Sequence, residues 1–344
     1  MQNKLAIYLS TSILLLITLT IGALFMGVYD FGGKSPITVL GEVISGSPNV
    51  SLSEKYVIWD VRMARIVMAI LIGSILAVAG TSMQGMFRNP LATPDLIGIT
   101  AGATLMAAIT IVLGSFFRDF LPDFLQFSLI SIAAFIGALL TTIMVYKMST
   151  TQGKTNVVIM LLSGVAISAL GFACVGFLIY LSKDEQLRDL TFWNLGSLGG
   201  ATWTKNGILF AVMILSYSLL IHRGKALNAM MLGEKDAEHL GINIEKIKKQ
   251  IVVLTALMVG SCVAFSGTIG FVGLIVPYIL RLIFKSNYQI ILPMSAVMGS
   301  ILLLVADTFS RTIVAPSEIP IGVITAFLGA PVFIAILIRF KNSM

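Results

Sequence analysis

Charge is what this chain has least of. Of its 344 residues, 23 are Lys or Arg and 16 are Asp or Glu, 11% in all, against 57% hydrophobic. A soluble globular domain carries about 25% charge, so charge this sparse cannot cover a water-facing surface of this size. Histidine and cysteine are as scarce, with two of each. Cys174 and Cys262 both fall inside apolar runs, where a small buried hydrophobe is expected rather than a disulfide or a metal ligand. Two histidines and two isolated cysteines supply no catalytic constellation at one depth, which argues against a membrane-embedded enzyme. Gly153-Lys154-Thr155 looks like the end of a phosphate-binding loop, but that motif needs glycine where Met148 stands, and no strand precedes it. The chain is therefore expected to bind no nucleotide and no other cofactor itself.

What is there instead is continuous apolar sequence. Runs of about 20 residues match the ~30 Å hydrocarbon core of a bilayer. They do not alternate, so helices are expected and a barrel is not. The first run, AIYLSTSILLLITLTIGALFMGV, is too long for a signal-peptide core and reads as a retained span. The expected fold class is an all-α integral membrane protein of about ten transmembrane helices. The spans run over 6–28, 63–84, 96–114, 126–146, 157–181, 206–222, 249–267, 269–284, 290–307 and 321–339. The pair from 249 to 284 is separated only by Ser266-Gly267-Thr268.

Ten spans put both termini on one side. With that side in the cytoplasm, it holds 14 of the 23 basic residues and five of the 16 acids. The basic excess fits the positive-inside rule. It also accounts for the net charge of +7 without a nucleic-acid partner. Residues 73–81 and 260–268 share the pattern G-S-x-x-A-x-x-G-T, and Pro90 and Pro277 each follow ten residues after the second glycine. The copies lie on spans two and seven, which cross in opposite directions, as an inverted-topology repeat requires. Chance is the competing explanation, since small residues are common in spans.

Residues 233–250, GEKDAEHLGINIEKIKKQ, concentrate the charge. Asn228 is expected to cap a short helix and Gly241 to end it. Gly233, Ala237 and Gly241 recur at spacing four, with Leu232, Asp236 and Leu240 on the adjacent stripe. A face so bare of bulk allows close approach to another protein; a solvated loop helix is the plainer alternative.

Leu232-Gly233 through Leu240-Gly241 resembles the coupling segment of bacterial type II ABC importer permeases, the iron-complex and vitamin B12 family. So do Arg62-Met63-Ala64-Arg65, Arg88-Asn89-Pro90-Leu91-Ala92-Thr93-Pro94, Gly270 through Pro277, Asp307 through Arg311, Glu318 through Ala326 and Gly329-Ala330-Pro331-Val332-Phe333. Tyr278 stands where the family usually has histidine after Pro277. The resemblance implies one transmembrane permease domain over 1–344, with a coupling segment at about 228–246. It implies a homodimer with the pathway on its two-fold axis, in a bacterial cytoplasmic membrane, with both termini inside. Two separate ATPase subunits carrying ATP-Mg would seat on Leu232, Gly233, Ala237, Leu240 and Gly241. An extracytoplasmic binding protein would meet Arg62, Arg65 and Arg311, for which interfacial snorkelling is the alternative. Met160, Ser163, Gly164 and Ser168 of span five, together with span ten, would line the pathway. The stretch Gln186-Leu187-Arg188-Asp189-Leu190-Thr191-Phe192, ahead of Trp193, resembles haem permeases more than siderophore ones. Arg188 would then greet propionates, with Phe192 or Trp193 against the porphyrin; pairing of Arg188 with Asp184 or Asp189 is the alternative. Haem is thus expected ahead of ferric siderophore, and either ahead of cobalamin. His222 and His239 are both placed inside, so no axial iron ligand is expected in the pathway. The rival from another class is an ion-coupled secondary transporter, which usually needs intramembrane titratable groups. No span shows an isolated carboxylate or histidine near its centre.

Overall fold

A computed structural model describes residues 2–114 and 128–341. Each apolar run becomes a helix because a helix satisfies its backbone hydrogen bonds within itself where no water can. Seven helices are long and apolar enough to cross a membrane: α1 (Gln2–Phe25), α3 (Leu52–Phe87), α5 (Leu129–Ser149), α6 (Val157–Leu181), α8 (Trp203–Ile221), α11 (Ile244–Ser266) and α13 (Tyr288–Thr312). Three more carry the remaining runs: α4 (Ile99–Leu113), α12 (Val272–Phe284) and α14 (Ile321–Lys341). Each of the ten expected spans falls on one of these helices, although residues within the expected bounds, 26–28, 267 and 269–271 among them, are not helical. Residues 126 and 127, expected to open the fourth, lie outside the described residues.

The shorter elements are placed by their caps. Ser35 caps α2 (Pro36–Ile44), with proline at the first helical position. Asn156 caps α6 by accepting from the amides of Val158 and Ile159. Asn243 caps α11 through the amide of Lys246. Helices α7 (Asp184–Leu195), α9 (Gly224–Met230) and α10 (Glu234–His239) lie between spans. A two-stranded hairpin, β1 (Thr150–Thr151) and β2 (Lys154–Thr155), is the only sheet among the described residues.

Helix α3 is the hub. Its most apolar window is 89% buried, whereas that of α1 has no buried residue. The reason is glycine. A Cβ on Gly73 would run into the backbone of Gly299 on α13, and one on Gly80 into the backbone of Gly273 on α12. Without side chains there, α3 and its neighbours approach backbone to backbone. The repeat shows in the packing too. Gly260, the counterpart of Gly73, faces Ala138 of α5. Each copy thus presents a small residue to a crossing helix, and four crossings lie between α3 and α11. The copies diverge at the second glycine: Gly80 stays helical, while Gly267 (φ 69°) ends α11.

That ending matters for function. At 13 residues α12 is about 20 Å long, shorter than the hydrocarbon core. The non-helical stretch 267–271 leads into it. Irregular backbone at membrane depth is tolerated only inside protein or beside a cavity. Here Ser197 donates its amide to the Ser266 carbonyl at 2.8 Å, Thr268 Oγ1 donates to the Asn194 carbonyl, and Ile321 N donates to the Gly196 carbonyl at 3.2 Å. The end of α7, the 267–271 stretch and the start of α14 therefore form one junction.

Candidate functional site

The charged segment forms two short helices, not one. Asn228 is no cap: it lies within α9, donates to Asn287 Oδ1 at 3.1 Å and accepts the Tyr288 amide at 2.7 Å, tying α9 to α13. Gly233 (φ 142°) breaks the run, a conformation open to glycine and closed to most other residues. Gly241 (φ 78°) ends α10 as expected. Its amide reaches the Glu238 carbonyl and that of Ile242 reaches the Ala237 carbonyl, which is a Schellman motif.

The expected small-residue face does not stay together: Gly241 is exposed and Gly233 half-buried, but Ala237 turns inward. Ala237 is fully buried in the chain's own core, so it seats α10 and is not offered to a partner. What α10 and its flanks present to solvent is Leu232 (71% exposed) and Leu240 (64% exposed), with Lys235, Asp236, Glu238 and His239 around them. Two exposed leucines thus stand on an otherwise charged segment.

Arg62, Arg65 and Arg311 do come together, but they are not the exposed sockets the sequence led one to expect. Arg62 and Arg65 are buried. Arg62 donates to the carbonyls of Leu24 at 2.7 Å and Tyr29 at 3.1 Å, and its guanidinium lies 4.8 Å from the centre of the Phe31 ring. Arg65 donates to Asp307 at 2.9 Å and Glu318 at 2.6 Å. Arg311 donates to the carbonyls of Ala23 at 2.7 Å and Met26 at 2.9 Å, with its Nε 3.7 Å from Asp307 Oδ2. Asp307, with no exposed surface, is the centre of this cluster. A buried carboxylate is tolerable only with such partners. The three arginines nevertheless line a cavity of about 280 Å³ with Tyr29, Val57 and Glu318.

The residues expected along a pathway separate into groups. Met160, Ser163 and Gly164 are buried. A Cβ on Gly164 would strike the Leu96 carbonyl, and Ser168 lies near Gly98. All four therefore face α4 and the turn before it. The opposite face of α6, with Leu162, Val165 and Leu170, is exposed. Phe192 and Trp193 line a cavity of about 390 Å³ together with Asp189 and Lys205. Arg188 is exposed and makes no ion pair with Asp184 or Asp189. The larger apolar cavity, about 630 Å³, is elsewhere: α14 lines it with Val323, Phe327 and Ile334, and the 268–271 stretch closes one side. Thr268, Gly270 and Phe271 also line a cavity of about 220 Å³ on their other side, with Leu76, Val259 and Asp95. Asp95 accepts a hydrogen bond from Thr100.

The model of the FecCD transport family matches residues 13–339. The chain belongs to that family. Among FecCD relatives, it is 39% identical over 287 residues to the hemin transport system permease protein HmuU of Yersinia pestis, covering 83% of this chain and 84% of that one. It is 37% identical over 290 residues to the vitamin B12 import system permease protein BtuC of Vibrio cholerae, covering 84% and 85%. A solved inward-facing structure of a transporter assigned to the metal-chelate ABC type superposes with a TM-score of 0.82 at 29% identity, covering 96% and 99%.

FecCD membership makes the chain a multi-pass membrane permease of the ABC importer type. It also takes over the argument against a secondary carrier. Absence of carboxylates no longer carries that argument, because Asp95 lines a cavity among Leu76 of α3 and Val259 and Val263 of α11. Sequence counting placed Asp95 in a loop. The four-residue turn Pro94–Ile97 before α4 folds inward instead, burying Pro94 and Ile97, since Gly98 and Gly164 let it pack beneath Thr141 and against α6. Among the described residues, no group of three or more His, Cys, Asp or Glu side chains is placed to hold a metal ion.

Proposed function

We propose that this chain is the membrane-spanning subunit of an ATP-driven importer in a bacterial cytoplasmic membrane, passing an iron complex inward, haem in first place. Both termini lie inside, two copies enclose the route on their two-fold axis, and two separate ATPase subunits bind ATP-Mg. The observation that carries the proposal is the α10 knob. Leu232 and Leu240 stand exposed on a charged segment whose buried side, at Ala237, is fixed to the core. A rigidly seated pair of apolar anchors within a polar rim is the form of a protein–protein hot spot. It fits a cleft on an ATPase that supplies the energy this chain lacks.

At the opposite end, the arginine-lined cavity of about 280 Å³ is the proposed seat of an extracytoplasmic binding protein. Glu318 belongs to that cavity, and with Arg62 and Arg65 buried it is the more accessible charge there. The route is proposed to run past the exposed face of α6 and the apolar cavity of α14. That cavity is of a size suited to a large solute, within the 300–1,000 Å³ typical of ligand sites. Haem is favoured by the hemin permease among the relatives and by the 186–192 stretch; the cobalamin permeases are similar at almost the same level, so ferric siderophore and cobalamin are the arms of the test.

The test is reconstitution in vesicles with the partner ATPase and binding protein. ATP hydrolysis and uptake are measured with the binding protein empty or incubated with hemin, a ferric siderophore or cyanocobalamin. Stimulation and uptake with hemin alone are expected. Uptake of cobalamin without hemin overturns the substrate, and uptake without the ATPase overturns the importer reading.

A further inference from the structure

Lys248 is a buried lysine, 1% exposed. An ammonium has three protons to donate, and here each has an acceptor. Nζ lies 2.8 Å from Glu234 Oε2, 2.9 Å from the Thr155 carbonyl and 3.2 Å from Glu245 Oε1. The acceptors belong to three elements: Glu234 opens α10, Thr155 ends the hairpin, and Glu245 shares α11 with Lys248 itself. Glu245 has a second attachment, since its Oε2 accepts the Thr155 amide at 2.8 Å. Thr155 is thus held on both sides, its N–H by Glu245 and its C=O by Lys248, so the peptide units before and after it are each fixed once. Asn156 comes next and caps α6. Arg88, at the end of α3, completes the cluster 3.9 Å from Glu234 Oε1.

The hairpin that carries Thr155 is closed by a tight turn. Its turn residues Gln152 (φ 54°) and Gly153 (φ 77°) adopt the left-handed pair of a two-residue hairpin loop. Thr150 pairs with Thr155 across the ladder. Gly153-Lys154-Thr155 therefore has a part to play after all, as backbone and not as a phosphate loop.

We propose that Lys248 is a positioning residue that hands displacement of α10 to α6 through the Thr155 peptide, with Glu234 as the attachment on α10. The proposal rests on the reading of α10 as the ATPase-coupling segment. The physics is the cost of separation. A charge taken out of water keeps its partners because leaving one behind strands an unpaired buried charge. When an ATPase subunit shifts α10, the Glu234–Lys248–Thr155 chain moves as a body instead of stretching. The N-terminus of α6 follows, and with it the helix face proposed to border the route.

Cys174 provides the probe. It is exposed on α6, while Cys262 is buried, so a spin label on the assembled transporter in nanodiscs reports the distance between the two copies of α6. In the unsubstituted assembly, ATP-Mg is expected to change that distance. Lys248→Met and Glu234→Gln are each expected to cut the change to less than half while ATPase subunits still co-purify and hydrolysis continues. The double variant is expected to be no worse than either single one, because both cut the same link. A merely structural cluster would instead lower thermal stability additively and leave the distance change whole; that result overturns the proposal. So does loss of ATPase capture in both variants, which would make the cluster a docking feature. If the unsubstituted assembly holds its ATPase but α6 does not move, the latch falls and the importer reading stands. If no ATPase subunit associates at all, both fall.

Discussion

Leu240 offers the most direct test at the scale of one residue. Fully burying a leucine is worth about 1.5–3 kcal/mol, so if Leu240 seats in an ATPase cleft, Leu240→Asp should weaken assembly by roughly 10- to 100-fold. Ala237→Asp should instead unfold the knob, since that side chain faces the core. Calorimetry or co-purification with the ATPase separates the two; unchanged affinity of Leu240→Asp would remove the knob from the interface. The arginine cluster gives a second test. Removing one partner of a buried ion pair costs about 3–5 kcal/mol. Arg65→Met should therefore lower thermal stability sharply, and adding Asp307→Leu should recover much of the loss. That the three arginines form a set was legible, because Arg62 and Arg65 lie three apart on one helix and the family pattern includes Arg311. Their acceptors were not, because carbonyls of 23–29 enter the cluster through the fold and leave no mark on side-chain identity.

Helices are where sequence spoke most clearly. A run long enough for hydrocarbon has one way to satisfy its backbone, so the apolar runs were readable as helices, although α12, at 13 residues, is shorter than a span. Faces were harder. Spacing four placed Gly233, Ala237 and Gly241 on one side of a continuous helix, but Gly233 leaves the helical region and turns α10 so that Ala237 looks inward. Periodicity cannot tell a face reserved for a partner from one reserved for the chain's own core. The glycine contacts of α3 make this measurable. Gly80→Val must push against the Gly273 backbone, whereas Gly22→Val on α1 meets open space. Overpacking usually costs about 1–3 kcal/mol. The first variant should lose several degrees of thermal stability in detergent and the second almost none. Equal behaviour would mean that α3 and α12 do not touch as described.

For the molecule as a whole, the question is whether its two inner cavities belong to one route. The 267–271 stretch stands between them. Thr268, Gly270 and Phe271 line both, and Asp95 lies on the smaller side. Phe271 holds a left-handed conformation (φ 68°) that bulky residues rarely adopt, and its ring rests where a side chain on residue 329 would otherwise be. Strain of this kind persists where the surroundings impose it, often beside a site that must move. Gly270 gives access to the point, because a Cβ there meets nothing within 4 Å. With Cys174→Ala and Cys262→Ala as background, Gly270→Cys should react with a water-soluble thiol reagent if water reaches the stretch. Its reactivity should change when ATP-Mg is supplied to the assembled transporter, since a route open to alternate sides cannot wet this stretch equally in both states. A rate unaffected by nucleotide would mean that the stretch is static scaffold, and the route would have to be sought along the exposed face of α6 alone.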